Sequence, residues 1–194
     1  MKLILASASP RRREILAGMG AVGFEIRPSD HESPLRRDLP VRSAVTEIAL
    51  GKGRDIAKDC GPDDIVIAAD TLVFLDGEPL GKPADADDAK RMLRALSGRE
   101  HEVVTGMAVI RGDLTLRHAE VTDVRFRALS EAEIDWYVAT GEPLDKAGAY
   151  GVQGLGRLLV QGIYGDYYNV VGLPAAPLAL MLREAGLDLM ARTE

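Results

Sequence analysis

The chain has 194 residues, of which 46% are hydrophobic and 28% are charged, and its formal net charge is −6. These proportions are typical of a soluble globular protein with a substantial core, and the acidic balance argues against nucleic-acid binding, which needs many cationic contacts. No apolar run is long enough to cross a bilayer, and the start of the chain lacks the composition of a secretory signal. The single cysteine, Cys60, favours a reducing compartment, the cytoplasm.

The first half of the chain alternates predicted strands and helices. Apolar, β-branched runs indicate the strands, and apolar residues repeating at threes and fours indicate the helices. The predicted elements are, in order, a strand at 2–6, a helix at 10–19, a strand at 22–28, a loop at 29–40, a helix at 41–58 and a strand at 64–75. Asp76-Gly77 then predicts a hairpin turn.

The second half adds more strands and helices. Ser130 and Glu133 have the spacing of a capping box, which predicts a helix reaching about Thr140. The other predicted elements are a helix at 85–96, paired strands at 101–111 and 114–127, a strand at 157–164 and a helix at 175–185. Because the hairpins exclude an all-parallel sheet, the sequence predicts an α/β fold with a mixed sheet.

A phosphate-binding pattern lies between the first strand and the first helix. Ser7 and Ser9 are followed by Pro10, Arg11 and Arg12 at the start of the predicted helix. Helix N-termini attract anions, and guanidinium groups match phosphate oxygens. The alternative is an ordinary helix cap followed by two solvated arginines.

An isolated carboxylate lies in the third predicted strand, at 64–75. Asp70 follows an apolar run and precedes Thr71, and a charge in such a run is costly unless it is paired or bound to a metal. The hairpin directs Lys82 back toward Asp70, and Lys52 lies on an otherwise apolar helical face. The alternatives are an exposed aspartate at a strand end and solvated lysines.

The third pattern is the glycine-rich segment 141–154. Its glycines indicate a backbone held closely against a neighbour, and the Gln153 amide offers a donor and an acceptor that suit the edge of a base. Asp145 and Lys146 equally fit a structural ion pair. We expect Trp136 and Tyr137 to serve packing rather than base stacking.

These patterns together resemble the Maf family of nucleoside triphosphate pyrophosphatases, and the likeness spans nearly the whole chain. The matching segments are ASASPRR (6–12), ADT (69–71), GKP (81–83), LSG (96–98), GEPLDKAGAYGVQG (141–154) and NVVGLP (169–174). The resemblance implies a single domain with an elongated mixed sheet, flanking helices and a deep central cleft between two interleaved lobes. It also implies a homodimer.

The resemblance further implies hydrolysis of a small-molecule nucleoside triphosphate to the monophosphate and pyrophosphate, with a divalent cation, magnesium or manganese. The glycine-rich segment looks like the branch acting on dTTP and UTP. The alternatives are 7-methyl-GTP as substrate, or a non-catalytic nucleotide-binding regulator of septum formation.

The resemblance also assigns roles to individual residues. Asp70 matches the catalytic acid or base, and Asp70 with Glu32 matches the metal ligands, although His31 stands where the family often has an aspartate. The phosphate-handling positions are Ser7, Arg12, Lys52 and Lys82, the two lysines being counted as catalytic. The positions linked to base choice are Arg11, Thr71 and Gln153.

Overall fold

The computed structural model describes residues 1–31 and 33–191. The helices are α1 (Pro10–Gly18), α2 (Val41–Ala57), α3 (Ala86–Leu96), α4 (Glu131–Ala139), α5 (Tyr167–Val171) and α6 (Ala175–Glu184). The strands are β1 (Leu3–Leu5), β2 (Glu25–Ile26), β3 (Ile65–Leu75), β4 (Glu78–Leu80), β5 (Glu100–Arg111), β6 (Leu114–Phe126) and β7 (Val160–Tyr164). None of the described helices combines the length and the apolar character needed to cross a membrane.

The strands form one seven-stranded sheet, ordered β2-β1-β3-β5-β6-β7, and β4 pairs with β3. Strand β1 is parallel to both β2 and β3, whereas the β3–β4 and β6–β7 pairs are antiparallel. The predicted mixed α/β fold is therefore confirmed.

The chain divides into two compact units, each built from separated stretches. The first unit comprises Met1–Asp70, Thr105–Glu120 and Gly172–Glu194, and the second comprises Thr71–Val104 and Val121–Val171. The division falls inside β3, between Asp70 and Thr71, so the predicted site residues are distributed over both units.

In the first unit, helix α2 lies unusually close to the sheet. A Cβ atom added at Gly106 on β5 would lie 2.6 Å from backbone atoms of Val45 and Thr46 on α2. A Cβ at Gly53 would lie 3.2 Å from the Cβ of Ala68. The two glycines thus allow α2 to approach the strands. This approach positions Lys52, the residue before Gly53, over β3.

The second unit has its own core around α3 and α4. Its buried side chains are Val73, Leu75, Ala89, Met92, Leu93, Leu96, Val103, Val124, Phe126, Ile134, Tyr137, Val138, Ala149, Tyr150 and Leu159. The packing role predicted for Tyr137 is confirmed. The same prediction for Trp136 is not confirmed, because its side chain is 46% exposed.

Most predicted elements are present, and the differences are local. Strand β2 has two residues, and β7 starts at Val160 because the chain first makes a 3-10 turn at Leu155–Leu158. Helix α5 was not predicted, since five residues are too few to show a helical period. The capping box of α4 is confirmed, with both hydrogen bonds present between Ser130 and Glu133.

Candidate functional site

The N-terminus of α1 is tied to Ser7 and Arg12. The Ser9 hydroxyl accepts a hydrogen bond from the Arg12 amide at 3.5 Å, so the helix-cap interpretation of Ser9 is correct. The Ser7 hydroxyl accepts from the Ser9 amide at 3.2 Å and from Arg12 Nη1 at 3.1 Å. Arg12 Nε donates to the Gly172 carbonyl at 2.9 Å. Arg12 is therefore a held, partly buried cation rather than a solvated one.

These contacts determine what the Ser7 hydroxyl can offer a ligand. It is buried and accepts two hydrogen bonds, which engages both of its lone pairs. A further partner can then be reached only through its own hydrogen. A phosphate oxygen is such an acceptor, so Ser7 suits an anionic ligand at the start of α1.

Asp70 and Lys52 form an ion pair within the first unit. Asp70 follows five buried residues of β3, where the strand becomes partly exposed, and Lys52 Nζ donates to Asp70 Oδ1. The side chains are 16% and 25% exposed, respectively. The carboxylate is therefore neither a solvated strand end nor an uncompensated charge.

Arg12 interacts electrostatically with the same carboxylate. Burial lowers the pKa of the Arg12 guanidinium, the negative charge of Asp70 raises it, and the neighbouring charge of Arg11 lowers it. Arginine stays protonated under all these influences. The first unit thus brings together Ser7, Arg11, Arg12, Lys52 and Asp70: three cationic side chains, a hydroxyl donor and one carboxylate.

A loop from the 29–40 region crosses α2 beside Lys52. Ser29 Oγ donates to Asp55 at 2.7 Å, and His31 Nε2 lies 2.8 Å from Ser33 Oγ. A Cβ at Gly51 would lie 2.8 Å from the His31 ring, so this glycine makes room for the loop. The predicted metal ligand Glu32 lies outside the described residues.

The described residues do not form a metal site from protein groups alone. Within residues 1–31 and 33–191, no three His, Cys, Asp or Glu side chains come together to hold a metal ion. A magnesium-type ion normally uses only one or two carboxylates and completes its shell with phosphate oxygens and water. Asp70 fits that requirement as a single ligand beside an anion site.

The second unit contains Thr71, Lys82 and Gln153. Strand β4 runs back along β3, with Leu80 opposite Val73, so the exposed Lys82 follows β4 on the side of Thr71. The Gly148 amide donates to the Gly81 carbonyl at 3.0 Å, which ties the glycine-rich segment to the stretch before Lys82. Asp145 and Lys146 form an ion pair of 2.7 Å.

Gln153 lines a pocket of about 490 Å³ in the second unit. The lining residues are Val152, Gln153, Arg157, Val160, Ile163 and Tyr167. Sequence reasoning selected only Gln153, because Arg157 and Tyr167 lie outside every motif that it used. The pocket combines apolar walls with an amide and a guanidinium, as small-molecule sites do.

Comparisons with known proteins agree with this organisation. Residues 2–185 match the family described as Maf-like protein. A dTTP/UTP pyrophosphatase of Anaeromyxobacter dehalogenans is 52% identical over 192 residues, covering 97% of this chain and 96% of the relative. A protein of the same name from Moorella thermoacetica is 52% identical over 194 residues, covering 98% of each chain.

A solved structure supports the fold alone. A HAM1 protein from Coxiella burnetii superposes with a TM-score of 0.56 at 16% sequence identity, and the match covers 95% of this chain and 99% of that one. The family match over residues 2–185 and the two half-identical relatives lead to one conclusion: the chain belongs to the Maf family.

Proposed function

We propose that this protein hydrolyses dTTP and UTP to the nucleoside monophosphate and pyrophosphate. Relatives with about half of their residues identical over nearly the full length carry the name dTTP/UTP pyrophosphatase. The structural observation that carries the proposal is the Asp70 carboxylate, paired with Lys52 and lying in the electrostatic field of Arg12. A base and an anion site thus occupy the same unit.

In the proposed reaction, the cationic side chains and the Ser7 hydroxyl bind the triphosphate. Arg12 and Lys52 offset its charge in the first unit, and Lys82 is the proposed contribution of the second. Asp70 accepts a proton from a water molecule whose oxygen attacks the α-phosphorus. The bond from that phosphorus to the oxygen bridging to the β-phosphorus breaks, and pyrophosphate leaves. Positioning and charge stabilisation account for most of the rate.

A divalent cation, magnesium or manganese, belongs to the proposal. Asp70 would hold it together with substrate phosphate oxygens, and Glu32 is the second proposed ligand. The cation would supply charge neutralisation on the phosphates. Support comes from the neighbours of Glu32 in the chain, since His31 and Ser33 both lie against Gly51, next to Lys52.

Base choice is assigned to Gln153, with Thr71 and Arg11 as further proposed contributors. Uracil and thymine present an N–H donor beside a carbonyl acceptor, and an amide can pair with both. The Gln153 pocket has apolar walls at Val160 and Ile163 for the remaining ring edge. A pocket that leaves polar groups unpaired with the wrong base discriminates strongly.

The test is pyrophosphate release from canonical and modified nucleoside triphosphates, with magnesium or manganese added. We expect dTTP and UTP to be the best substrates. Preference for 7-methyl-GTP would support the other branch, and nucleotide binding without hydrolysis would support the regulator. Size-exclusion chromatography with light scattering tests the homodimer that the family resemblance implies.

The Asp70→Asn variant tests the mechanism. It keeps the shape of the side chain but removes the base, so we expect the rate to fall by about 10²–10⁴-fold. The matched control is Asp59→Asn, which changes an exposed carboxylate next to the end of α2 and should leave the rate unchanged. Near wild-type turnover in folded Asp70→Asn would contradict the assigned role.

A further inference from the structure

One carboxylate organises the glycine-rich segment of the second unit. Glu142 follows α4 and accepts three hydrogen bonds: from the Tyr137 hydroxyl at 2.9 Å, the Leu155 amide at 2.8 Å and the Gly156 amide at 3.1 Å. Burial raises the pKa of Glu142, but the two amides and the phenol together lower it below its ordinary value. The carboxylate is therefore ionised and accepts from every neighbour it meets at neutral pH.

Tyr137 holds the other end of the same segment. Its ring is fully buried in the core of the second unit, and its hydroxyl oxygen accepts the Gly151 amide at 3.1 Å. A Cβ at Gly156 would lie 2.6 Å from the Gly151 carbonyl oxygen and 2.7 Å from the Tyr137 hydroxyl. The chain therefore returns on itself at this point, and the Gly151 and Gly156 backbones lie in close contact.

The tied amides lie on both sides of Gln153. Gly151 precedes it by two residues, and Leu155 and Gly156 follow it by two and three. Arg157 continues from the same turn and donates through Nε to the Gly154 carbonyl at 2.8 Å. Three of the six residues lining the pocket, Val152, Gln153 and Arg157, thus belong to the segment that Glu142 and Tyr137 hold.

The Glu142 backbone is itself fixed. Lys146 Nζ donates to the Glu142 carbonyl at 2.6 Å, and the Glu142 amide donates to Thr140 Oγ1 at 3.2 Å. The carboxylate is consequently an anchor and not a flexible surface group. The two carboxylate oxygens connect Tyr137 on α4 with the Leu155 and Gly156 amides, which belong to the segment that lines the pocket.

An orientation problem makes this anchor relevant to base choice. A glutamine amide rotated by 180° exchanges its donor and acceptor, so a loosely held Gln153 would pair with cytosine as well as with uracil. Cytosine presents an acceptor and an exocyclic amino donor where uracil presents a donor and a carbonyl acceptor. Selectivity therefore requires that the backbone at Gln153 be held in place, because the backbone determines the position of the side-chain amide and the groups around it.

We propose that Glu142 and Tyr137 are positioning residues for pyrimidine selectivity, because they hold the segment that presents Gln153 to the pocket. The inference rests on the proposed function, in which Gln153 reads the base. Neither residue needs to touch the substrate. Their effect is on the ratio of turnover between uracil and cytosine nucleotides.

The experiment compares kcat/KM for UTP and CTP in the wild type, Glu142→Gln and Tyr137→Phe. In Glu142→Gln an amide N–H₂ must face a backbone donor, so the segment loses at least one anchor. We expect the UTP-to-CTP ratio to fall at least tenfold in Glu142→Gln and less in Tyr137→Phe. The change should appear mainly in KM for UTP, because the residues of the first unit are untouched.

The matched control is Glu133→Gln on α4. Glu133 also accepts several hydrogen bonds, from Ser130 and Arg127, but it does not contact the segment around Gln153. It should keep the wild-type ratio. Gln153→Ala serves as the reference for lost base reading, and adding Glu142→Gln to it should change the ratio no further.

The outcomes separate this inference from the proposed function. A wild type that does not hydrolyse UTP or dTTP refutes the proposed function. An active wild type whose ratio falls with Gln153→Ala but is unchanged in both Glu142→Gln and Tyr137→Phe overturns only the positioning role. If Glu142→Gln fails to fold, Tyr137→Phe decides, because it removes a single hydroxyl and retains the buried ring.

Discussion

Replacing Gly106 by alanine tests whether the close approach of α2 to the sheet supports both folding and the site. The added Cβ would lie 2.6 Å from the Val45 carbonyl group and from the Thr46 amide nitrogen. These are backbone atoms, which cannot rotate away as a side chain can. The helix must therefore move away from β5 as a whole.

The size of the effect follows from the missing space. Ordinary contacts begin at about 3.4 Å, so α2 must shift by about 0.8 Å. Overpacking of this kind destabilises the fold by about 1–3 kcal/mol. Replacing a strand glycine by alanine stabilises it by about 0.5–1 kcal/mol, because alanine loses less backbone entropy on folding. We expect a net loss of about 1 kcal/mol in the free energy of unfolding. For a chain of this length, that lowers Tm by about 2–4 °C.

The assay combines thermal unfolding with initial rates measured well below the transition. Lys52 moves with α2 while Asp70 stays on β3, so we expect the rate of dTTP hydrolysis to fall by about 10–100-fold. The control is Gly18→Ala at the end of α1, where an added Cβ meets nothing within 4 Å. That variant should be as stable as the wild type or slightly more so. A Gly106→Ala protein with unchanged Tm and rate would refute the reasoning.

Two further predictions concern charged groups. His101 is buried beside Tyr150, and burial lowers its pKa from 6.5 to about 4. Between these pH values the unfolded chain binds a proton at His101 that the folded chain does not. The contribution to the free energy of unfolding is therefore complete above about pH 6.5 and falls by about 3 kcal/mol as the pH drops to about 4. In urea titrations at pH 7 and pH 5, the free energy of unfolding should depend less on pH in His101→Gln than in the wild type. Lys52→Met and Asp70→Asn should each lower the free energy of unfolding by about 1–2 kcal/mol, because the ion pair is partly buried. The double variant should lose less than the sum of the two single losses. Additive losses in urea unfolding would contradict the ion pair.

Local sequence predicted the elements well where one short-range signal was strong. The capping box of α4 needs only Ser130 and Glu133, and the Asp76-Gly77 turn needs only two residues, so both are present as expected. Trp136 shows the limit of such reasoning. Its neighbour Tyr137 is buried, and which of two adjacent aromatic residues faces the core depends on the rotation of the helix against the second unit.

The candidate site likewise has one part that the sequence predicts and another that depends on the tertiary structure. Asp70 is identifiable from the chain alone, because an ionisable group directly after five buried apolar residues demands a partner. The identity of that partner is a tertiary fact. Lys52 reaches Asp70 only because glycines on α2 and β5 bring the helix close to the strands.

By itself, the amino-acid sequence determined the α/β class, most element positions, the family and the residue types able to bind a nucleotide. These depend on periodicity, capping and motif spacing, which act over a few residues. Tertiary structure alone decided that Arg12 is held by Gly172, 160 residues away, and that Tyr137 and Glu142 hold the backbone before and after Gln153. Such contacts depend on how distant segments pack, and local spacing carries no record of that packing.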